Sequence, residues 1–575
     1  MCDKLTEMLN QGQYEEVLTA LEQYDISEYT ESMIIIAISA FLALGDYETA
    51  KVYLQAGLRI NPRNAELYLL LGNYYERYNK MQAYLCYENA ELFCDNEQDR
   101  IMIRNFKSNL AEDGTLNYKK VAIVILSYNS YEMTQYCIES IRRNNLPSTY
   151  EIIVVDNAST DGIAEWLEQQ EDIRLIRNSE NRGFPYGCNQ GIKAAHPEAD
   201  IMLLNNDTIV FPNSLFWLRM GLYENTRVGM TGSITNHAGN GQAITEQFDS
   251  IQEYEKFALN NNVFKDNSYE LKIFLVGFAI LIRREVLDAV GLLDVRFSPG
   301  QFEDDDLGLR ICSAGWKNIL CHNSFIYHFG GGAGQNRSMW NKQFQVNKEK
   351  FRDKWFFDIT QYTPVRKEII NLLNIDQAEV VNILEVGCGL GATLSGIQYR
   401  YPNARVYGIE FDPRLAEIGS RILNVVAGDI NNLEIPFKDI KFDYIILSDV
   451  LEYAHDPEDV VQRLAARFKD GGGIFLCSVF NLMNISVLYP LIQGEFEYRQ
   501  TGITNKSHLH FFTLNSISRL YAECGFQIDE LGYTVNGIEE KDYSNFLGNI
   551  LNMPGAADKD QFLAYKYIFR AIPKK

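Results

Sequence analysis

The chain has 575 residues, 46% apolar and 12% aromatic, with a formal charge of −23 at pH 7. That length exceeds a single hydrophobic core and predicts roughly three or four domains. So large an acidic excess repels phosphate backbones and anionic lipid surfaces, which argues against nucleic acid as a partner.

The ten cysteines are scattered singly, without a CxxC pair or a zinc-ligand spacing, the pattern of reduced thiols in a cytosolic protein. The first residues, MCDKLTEMLN, lack a basic-then-apolar signal pattern, and the longest apolar stretch, IIIAISAFLAL at 34–44, is too short to span a bilayer. The expectation is a cytoplasmic protein with no membrane insertion.

From the N-terminus the chain repeats itself. GQYEEV at 12–17 recurs as GDYETA at 45–50 and loosely as NKMQA at 79–83. Val17, Ala50 and Ala83 therefore keep one spacing. Gly45, Tyr47, Ala50, Leu54, Gly57 and Pro62 resemble the tetratricopeptide repeat, although Gly57 stands where alanine is usual. The resemblance implies two and a half helical hairpins stacked as a solenoid over 1–112, a surface for docking a protein acceptor or a second subunit.

At NYKKVAIVILSYN, from 117, the period changes to a continuous apolar strand. YEIIVVDNAST and ADIMLLNNDTIV follow with helical segments between them. Such alternation predicts an α/β sheet with buried parallel strands, whose functional loops lie at the carboxyl ends of the strands. Ser127 and Asn129, Asp156 and Asn157, and Asn205 to Asp207 all fall there. Further on, FEDDDLGLR at 302–310 sets four acidic side chains in a row before an apolar helical segment. Adjacent carboxylates raise one another's pKa unless a cation or a proton offsets them. On its own the run reads equally as an acidic helix start facing the positive end of the dipole.

VAIVILSYN, IIVVDNASTDG, NSENRGFPYGCNQGI, MLLNNDT, VGFAILIRREVLDAVGLLD, FEDDDLGLR and YHFGGG occur in the order seen in family 2 glycosyltransferases of the GT-A fold. The segments look most like the rhamnosyltransferase branch, over a domain of about 118–355. The resemblance implies a nucleotide-sugar donor, TDP- or UDP-linked, and a divalent cation, Mg²⁺ or Mn²⁺, that neutralises the departing diphosphate. Asn205, Asn206 and Asp207 occupy the metal-binding Asp-x-Asp position, leaving Asp207 as the ionised ligand, with His328 as a further ligand. Asp156 matches the residue that hydrogen-bonds the pyrimidine, flanked by Ser127 and Asn129. Asp304 maps onto the general base that takes the acceptor hydroxyl proton during inverting transfer.

A break at WFFDITQYTPVRK, 355–365, precedes a second α/β pattern: ILEVGCGLGATL, VYGIEFDP, VVAGDI, FDYIILSDVLEY and GGIFLCSVFN. Glycines straight after a buried strand let a ligand approach the backbone at a helix start. The order resembles class I S-adenosylmethionine-dependent methyltransferases, in particular quinone-biosynthesis O-methyltransferases, over 360–575 with a Rossmann-like fold. By that resemblance Glu385, Gly387, Gly389 and Gly391 cradle the cofactor, Glu410 holds its ribose hydroxyls, and Asp429 faces the adenine. In SHLHFFT, His508 is the candidate base or acceptor-positioning group; relatives often carry histidine where Tyr453 stands.

The multidomain reading is a bifunctional enzyme. One domain adds a deoxyhexose, rhamnose in the leading version, and the other O-methylates the same glycan, with a bacterial surface glycan or glycoprotein as acceptor. The alternatives are a repeat-based scaffold with one vestigial catalytic domain, suggested by the departures at Asn205 and Tyr453, and a methyltransferase acting on a protein or small molecule.

Overall fold

The computed structural model describes residues 2–25, 28–112, 114, 116, 118–330, 337–432, 436–469, 472–535 and 543–574. The chain divides into two compact units, Met1–Asp358 and Ile359–Lys575.

Unit 1 begins with seven helices: α1 (Cys2–Asn10), α2 (Tyr14–Leu21), α3 (Glu31–Leu44), α4 (Tyr47–Ile60), α5 (Ala65–Glu76), α6 (Lys80–Phe93) and α7 (Glu97–Ala111). Short polar side chains start most of them. Asp46, Asn64, Asn79 and Asn96 each accept backbone N–H bonds from the first turn of α4, α5, α6 and α7, caps typically worth about 1 kcal/mol apiece. The recurring sequence unit falls on the turns before α2, α4 and α6, so it marks the second helix of each pair. Three pairs and a seventh helix result, rather than two and a half hairpins. The glycine at 57 has a packing reason: a Cβ there would lie 2.8 Å from Leu67 Cδ2 and 3.2 Å from Ile34 Cγ2.

The last helices pack against the α/β part of the same unit. Gln82 donates to Met220 O at 2.9 Å and Asn79 to Tyr223 O at 2.8 Å. Glu88 of α6 pairs with the buried Arg219 guanidinium, which offsets the cost of enclosing either charge alone.

Nine strands form the first sheet: β1 (Val121–Ser127), β2 (Tyr150–Asp156), β3 (Ile173–Arg177), β4 (Asp200–Asn205), β5 (Thr208–Val210), β6 (Val228–Ile234), β7 (Tyr269–Lys272), β8 (Ala279–Ile282) and β9 (Lys317–His328). Their order is β3-β2-β1-β4-β8-β6-β9-β5, with β7 beside β9. β1, β2, β3 and β4 are parallel; β1, β2 and β4 are largely buried, hence their apolar runs, while β3, IRLIR, lies half-buried at the sheet edge. β8 runs antiparallel to β4 and to β6, so the sheet is mixed rather than all parallel. The single strand expected in ADIMLLNNDTIV is two. The chain turns at Asn206–Asp207, and β5 leaves the β4 line to pair with β9. That turn is what brings Asp207 to His328.

Unit 2 holds β10 (Asn382–Val386), β11 (Arg405–Glu410), β12 (Val425–Ala427), β13 (Tyr444–Ser448), β14 (Ile474–Phe480), β15 (Phe526–Thr534) and β16 (Lys566–Pro573) in the order β12-β11-β10-β13-β14-β16-β15. The first five are parallel, and β16 enters antiparallel to β14. Strand alternation fills two cores. Leu384, Val386, Ile445 and Leu447 face one, and Ile383, Tyr444 and Ile446 the other. The architecture is the expected one: a helical region, a GT-A-like α/β domain and a Rossmann-like α/β domain with mixed sheets. Among the described residues no helix is long and apolar enough to cross a membrane, and all ten cysteines are free thiols.

Candidate active sites

In unit 1 the candidate residues gather at the carboxyl ends of β1, β2 and β4. Register sets Ser127 beside Asp156 and Leu126 beside Asn205. Asp156 is 1% exposed and accepts the Ser159 N–H at 3.3 Å, so its carboxylate shapes its own loop. Asn129, at φ +48°, accepts the Thr160 N–H at 2.7 Å and donates its own N–H to Ser159 Oγ at 3.0 Å, tying the loops after β1 and β2 together. The Ser127 hydroxyl is fully buried, 3.2 Å from Thr134 Oγ1. It braces the helix Tyr131–Asn144, whose Thr134 also accepts the Asn206 side-chain amide at 2.9 Å.

Asp207 and His328 meet at 3.2 Å between Oδ1 and Nε2, and the Asn205 amide lies 3.5 Å from the same nitrogen. His328 Nδ1 faces His237 O at 3.1 Å, and a carbonyl only accepts, so Nδ1 carries a hydrogen. Nε2 donates to Asp207 when the ring is protonated and can accept from the Asn205 amide when it is not. Burial lowers its pKa, but the Asp207 hydrogen bond and charge outweigh this and raise it. One carboxylate oxygen, one imidazole nitrogen and one amide suit a hard cation that keeps positions open for phosphate oxygens, so the donor set fits Mg²⁺ or Mn²⁺. Among the described residues no group of three acidic, histidine or cysteine side chains could hold a metal; the remaining ligands would come from the donor.

The acidic run resolves into separate environments. It opens the helix Glu303–Ser313 after Gln301 and Phe302, both in the left-handed region at φ +80° and +72°, an uncommon conformation for such residues that clusters at functional sites. Asp306 is fully buried and spoken for by Arg310 Nε at 2.9 Å, Trp355 Nε1 at 2.8 Å and Lys354 Nζ at 2.6 Å. Asp304 accepts the Gly277 N–H at 2.8 Å. Burial pushes its pKa up, opposed by the N–H bonds from Gly277 and Asp305. Glu303 is 7% exposed, with Oε2 lacking a partner among the described residues. Burial and then the Asp304 charge push it well above the usual range.

Gly277 and Phe278 join these parts. Gly277 donates to Asp304, the Phe278 carbonyl accepts the Asn205 N–H at 2.8 Å, and the Phe278 ring stacks on His328 at 5.2 Å between centroids. Gly277 and Phe278 therefore link Asp304 to Asn205, Asp207 and His328. The connecting dipeptide lay within VGFAILIRREV but carried no chemical signal of its own.

In unit 2 the loop after β10 carries Gly387, Gly389 and Gly391, all at positive φ. The case is clearest at Gly389, where a side chain would be strained at φ +57° and would sit 3.1 Å from Tyr362 Cδ1. Glu410 ends β11 and accepts the Gly389 N–H at 2.7 Å and the Asp412 N–H at 2.9 Å. Burial raises its pKa against those bonds. Glu385 is 2% exposed, and its Oε2 has no partner among the described residues. Burial pushes it up to about 8, with Arg366 opposing and Glu410 reinforcing. Asp429 accepts the Asn431 N–H at 2.9 Å and the Asn432 side-chain amide at 3.1 Å. An open glycine loop with a carboxylate beside its N–H, and a second buried carboxyl with one open oxygen, suits a cationic nucleoside cofactor such as S-adenosylmethionine.

Three residues were missed by sequence reasoning. Asp449 follows β13 at φ +56° and holds Arg366 at 2.9 Å, Lys566 at 2.5 Å and Ser478 Oγ at 2.7 Å. Those contacts keep its carboxyl below the usual range despite burial. Arg366 precedes the glycine motif and Lys566 opens β16, so only the folded sheet brings them together. His508 lies between the Tyr453 ring at 4.9 Å and the Phe480 ring at 5.5 Å. Burial lowers its pKa.

Residues 122–291 match the family model described as glycosyl transferase family 2, and residues 356–531 match a methyltransferase domain model. The uncharacterized glycosyltransferase YfnE of Bacillus subtilis is 25% identical over 242 residues, 34% of this chain and 61% of that protein. Glycosyltransferase AglE of Haloferax volcanii is 24% identical over 246 residues, 41% of this chain and 75% of that protein. A ubiquinone biosynthesis O-methyltransferase of Coxiella burnetii is 27% identical over 149 residues, 25% of this chain and 62% of that protein. The chain thus spans less than two thirds of YfnE and of the O-methyltransferase. It carries a glycosyltransferase domain and a methyltransferase domain.

Proposed function

We propose that the two domains act in sequence on one glycan, the first transferring a deoxyhexose, rhamnose in the leading version, from a TDP- or UDP-linked donor with inversion, and the second O-methylating the product. The single observation that carries this reading is that both units hold candidate residues in the loops at the carboxyl ends of parallel strands, where such sheets bind ligands: Asp156 and Asn205 in the first, Gly389 and Glu410 in the second. In the first cleft Asp207 and His328 would hold Mg²⁺ or Mn²⁺, which offsets charge on the leaving diphosphate. Asp156, with Ser127 and Asn129, would frame the nucleotide base. Asp304, half-buried and raised by that burial, would accept the acceptor hydroxyl proton.

In the second cleft Gly387, Gly389, Gly391, Glu385, Glu410 and Asp429 would hold S-adenosylmethionine, which supplies an electrophilic methyl group. His508 would take the proton released from the acceptor. Methyl transfer to a hydroxyl depends mainly on alignment, and a second domain on the same chain raises the local concentration of the first domain's product. We place the functional divisions at 1–112, 118–355 and 360–575. The helical region, read as tetratricopeptide-like, would dock a glycoprotein acceptor or another subunit, and the assembly would work in the cytoplasm on a bacterial surface glycan.

A donor screen tests this reading. Purified protein with Mn²⁺ or Mg²⁺ is supplied with TDP- and UDP-sugars, nucleotide release is measured, and the glycan product is examined by mass spectrometry for an added methyl-deoxyhexose. Release from TDP-rhamnose followed by a methyl increment with S-adenosylmethionine supports it. Absence of melting-temperature shifts with either nucleotide or cofactor favours the scaffold instead.

A further inference from the structure

The acceptor side of unit 2 contains two buried side chains whose open atoms have opposite hydrogen-bonding character. His508 is 6% exposed, and its Nδ1 lies 3.0 Å from Ile503 O. A carbonyl only accepts, so Nδ1 carries the hydrogen of the neutral ring and Nε2 presents a lone pair. Nε2 has no partner among the described residues.

Glu452 is 1% exposed. Its Oε1 accepts the Phe480 N–H at 2.7 Å, and its Oε2 is likewise unpartnered among the described residues. Burial, then the Asp449 charge, pushes this carboxyl up to about 8. Burial thus favours the protonated form, which can donate from Oε2. The Glu452 backbone carbonyl accepts the N–H groups of Leu509 and His510 at 2.7 and 3.1 Å, so the same residue anchors the loop that presents His508. Phe480 and Tyr453 reach His508 from either side, and Lys566 lies 4.3 Å above the Phe480 ring while holding Asp449. Buried polar atoms are rarely left without partners, and Phe480 ties these two residues together, its N–H on Glu452 Oε1 and its ring 5.5 Å from His508.

We propose that Glu452 and His508 form a two-sided clamp for the acceptor hydroxyl of the methyltransferase unit, Glu452 donating to its oxygen and His508 Nε2 accepting its proton. An alcohol satisfies both partners at once. A carboxylate has no proton for Nε2, and an ammonium has no lone pair for Glu452, so the clamp selects hydroxyl acceptors. The aromatic walls of Phe480, Tyr453 and Tyr565 add flat apolar faces against which a sugar ring lies. When the hydroxyl oxygen bonds the methyl carbon, the carbon–sulfur bond of the sulfonium donor breaks and its electrons stay on sulfur. The hydroxyl proton passes to Nε2, and the positive charge moves from sulfonium to imidazolium. The groups whose charge acts on His508 are Asp449, which favours the imidazolium, and Lys566, which opposes it; Glu452 and Tyr453 complete its titratable surroundings.

This inference rests on unit 2 being the O-methylating domain, and its test separates the two. Full-length protein with ¹³C-labelled histidine, saturated with S-adenosylhomocysteine, is titrated with methyl α-rhamnoside, benzyl alcohol or acetate. The His508 signal is assigned from its loss in His508→Gln. Methyl rhamnoside is expected to move that signal saturably and acetate to leave it in place. Glu452→Gln, which keeps a donor, should bind the rhamnoside within about threefold of wild type. Glu452→Leu should bind about tenfold more weakly, the loss expected for one buried hydrogen bond, with S-adenosylhomocysteine affinity unchanged. A response to benzyl alcohol but not to the rhamnoside upholds the clamp and removes the glycan reading. A response to acetate, no response to either hydroxyl probe, or undiminished binding in Glu452→Leu overturns the clamp. The wild-type titration decides even where Glu452→Leu fails to bind S-adenosylhomocysteine.

Discussion

The two clefts differ in how they stand without ligands. In unit 1 the polar side chains satisfy one another: Asp207 holds His328, Asp304 holds the Gly277 N–H, and Phe278 links the two groups. In unit 2 several wait. Glu385 Oε2, Glu452 Oε2 and His508 Nε2 are buried without partners among the described residues. The first arrangement is preorganised, with Asp207 and His328 in contact, and ligands must replace existing contacts. The second bears the cost of unsatisfied burial until something enters. Beside the candidate base in unit 1, Glu303 Oε2 and Gln301 Oε1 break this pattern, both buried without partners among the described residues.

The sharpest way to break the comparison is to remove the base. Asp304→Asn keeps an acceptor oxygen for the Gly277 N–H but cannot take a proton. Sugar transfer should fall by about 10²- to 10⁴-fold, while the melting-temperature rise given by UDP or TDP with Mn²⁺ persists. Nucleotide release together with thermal shift checks both halves, and normal turnover would remove Asp304 from the role. The next effect belongs to unit 2. Glu410→Ala deletes the carboxylate that accepts the Gly389 N–H and would face the ribose. S-adenosylmethionine present at about 100 times its Kd should stabilise wild type by about 2.7 kcal/mol, and this stabilisation should vanish in the variant. Sugar transfer should be untouched, since Glu410 belongs to the other compact unit.

Much of each cleft was legible because its residues sit at strand ends, where an apolar run stops at a polar residue: Asp156 after IIVV, Glu410 after VYGI, Asp207 after MLLNN. Continuous apolar runs betray buried parallel strands, and their ends locate the loops. What the sequence hid depends on pairing between distant strands. The division of ADIMLLNNDTIV into β4 and β5 follows from β5 joining β9, a partner more than a hundred residues away, so no local pattern marks the turn at Asp207. Lys566 reads as one residue of a strand until antiparallel pairing of β16 with β14 sets it opposite Phe480, within reach of Asp449. Ser127 stands at the strand end, and alternation along β1 turns its short side chain to Thr134 on the helix-covered face, a contact no local pattern announces.

The finest probe of the contrast is the pH dependence of unit 2 without cofactor. Burial pushes Glu385 up to about 8, above its unfolded value. Between those two values the folded state binds more protons than the unfolded chain, so this group's contribution falls as pH rises through that window and is fully favourable only below it. Glu385→Gln carries no charge in either state and removes that dependence. At pH 8 the variant should melt higher than wild type by about 2–4 °C, corresponding to about 1 kcal/mol for a unit of this size, and the gap should close at pH 4.5. S-adenosylmethionine should narrow the gap by giving the wild-type carboxylate a cationic neighbour. Equal melting curves at every pH would mean that Glu385 is already satisfied in solution, and unit 2 would then be as preorganised as unit 1.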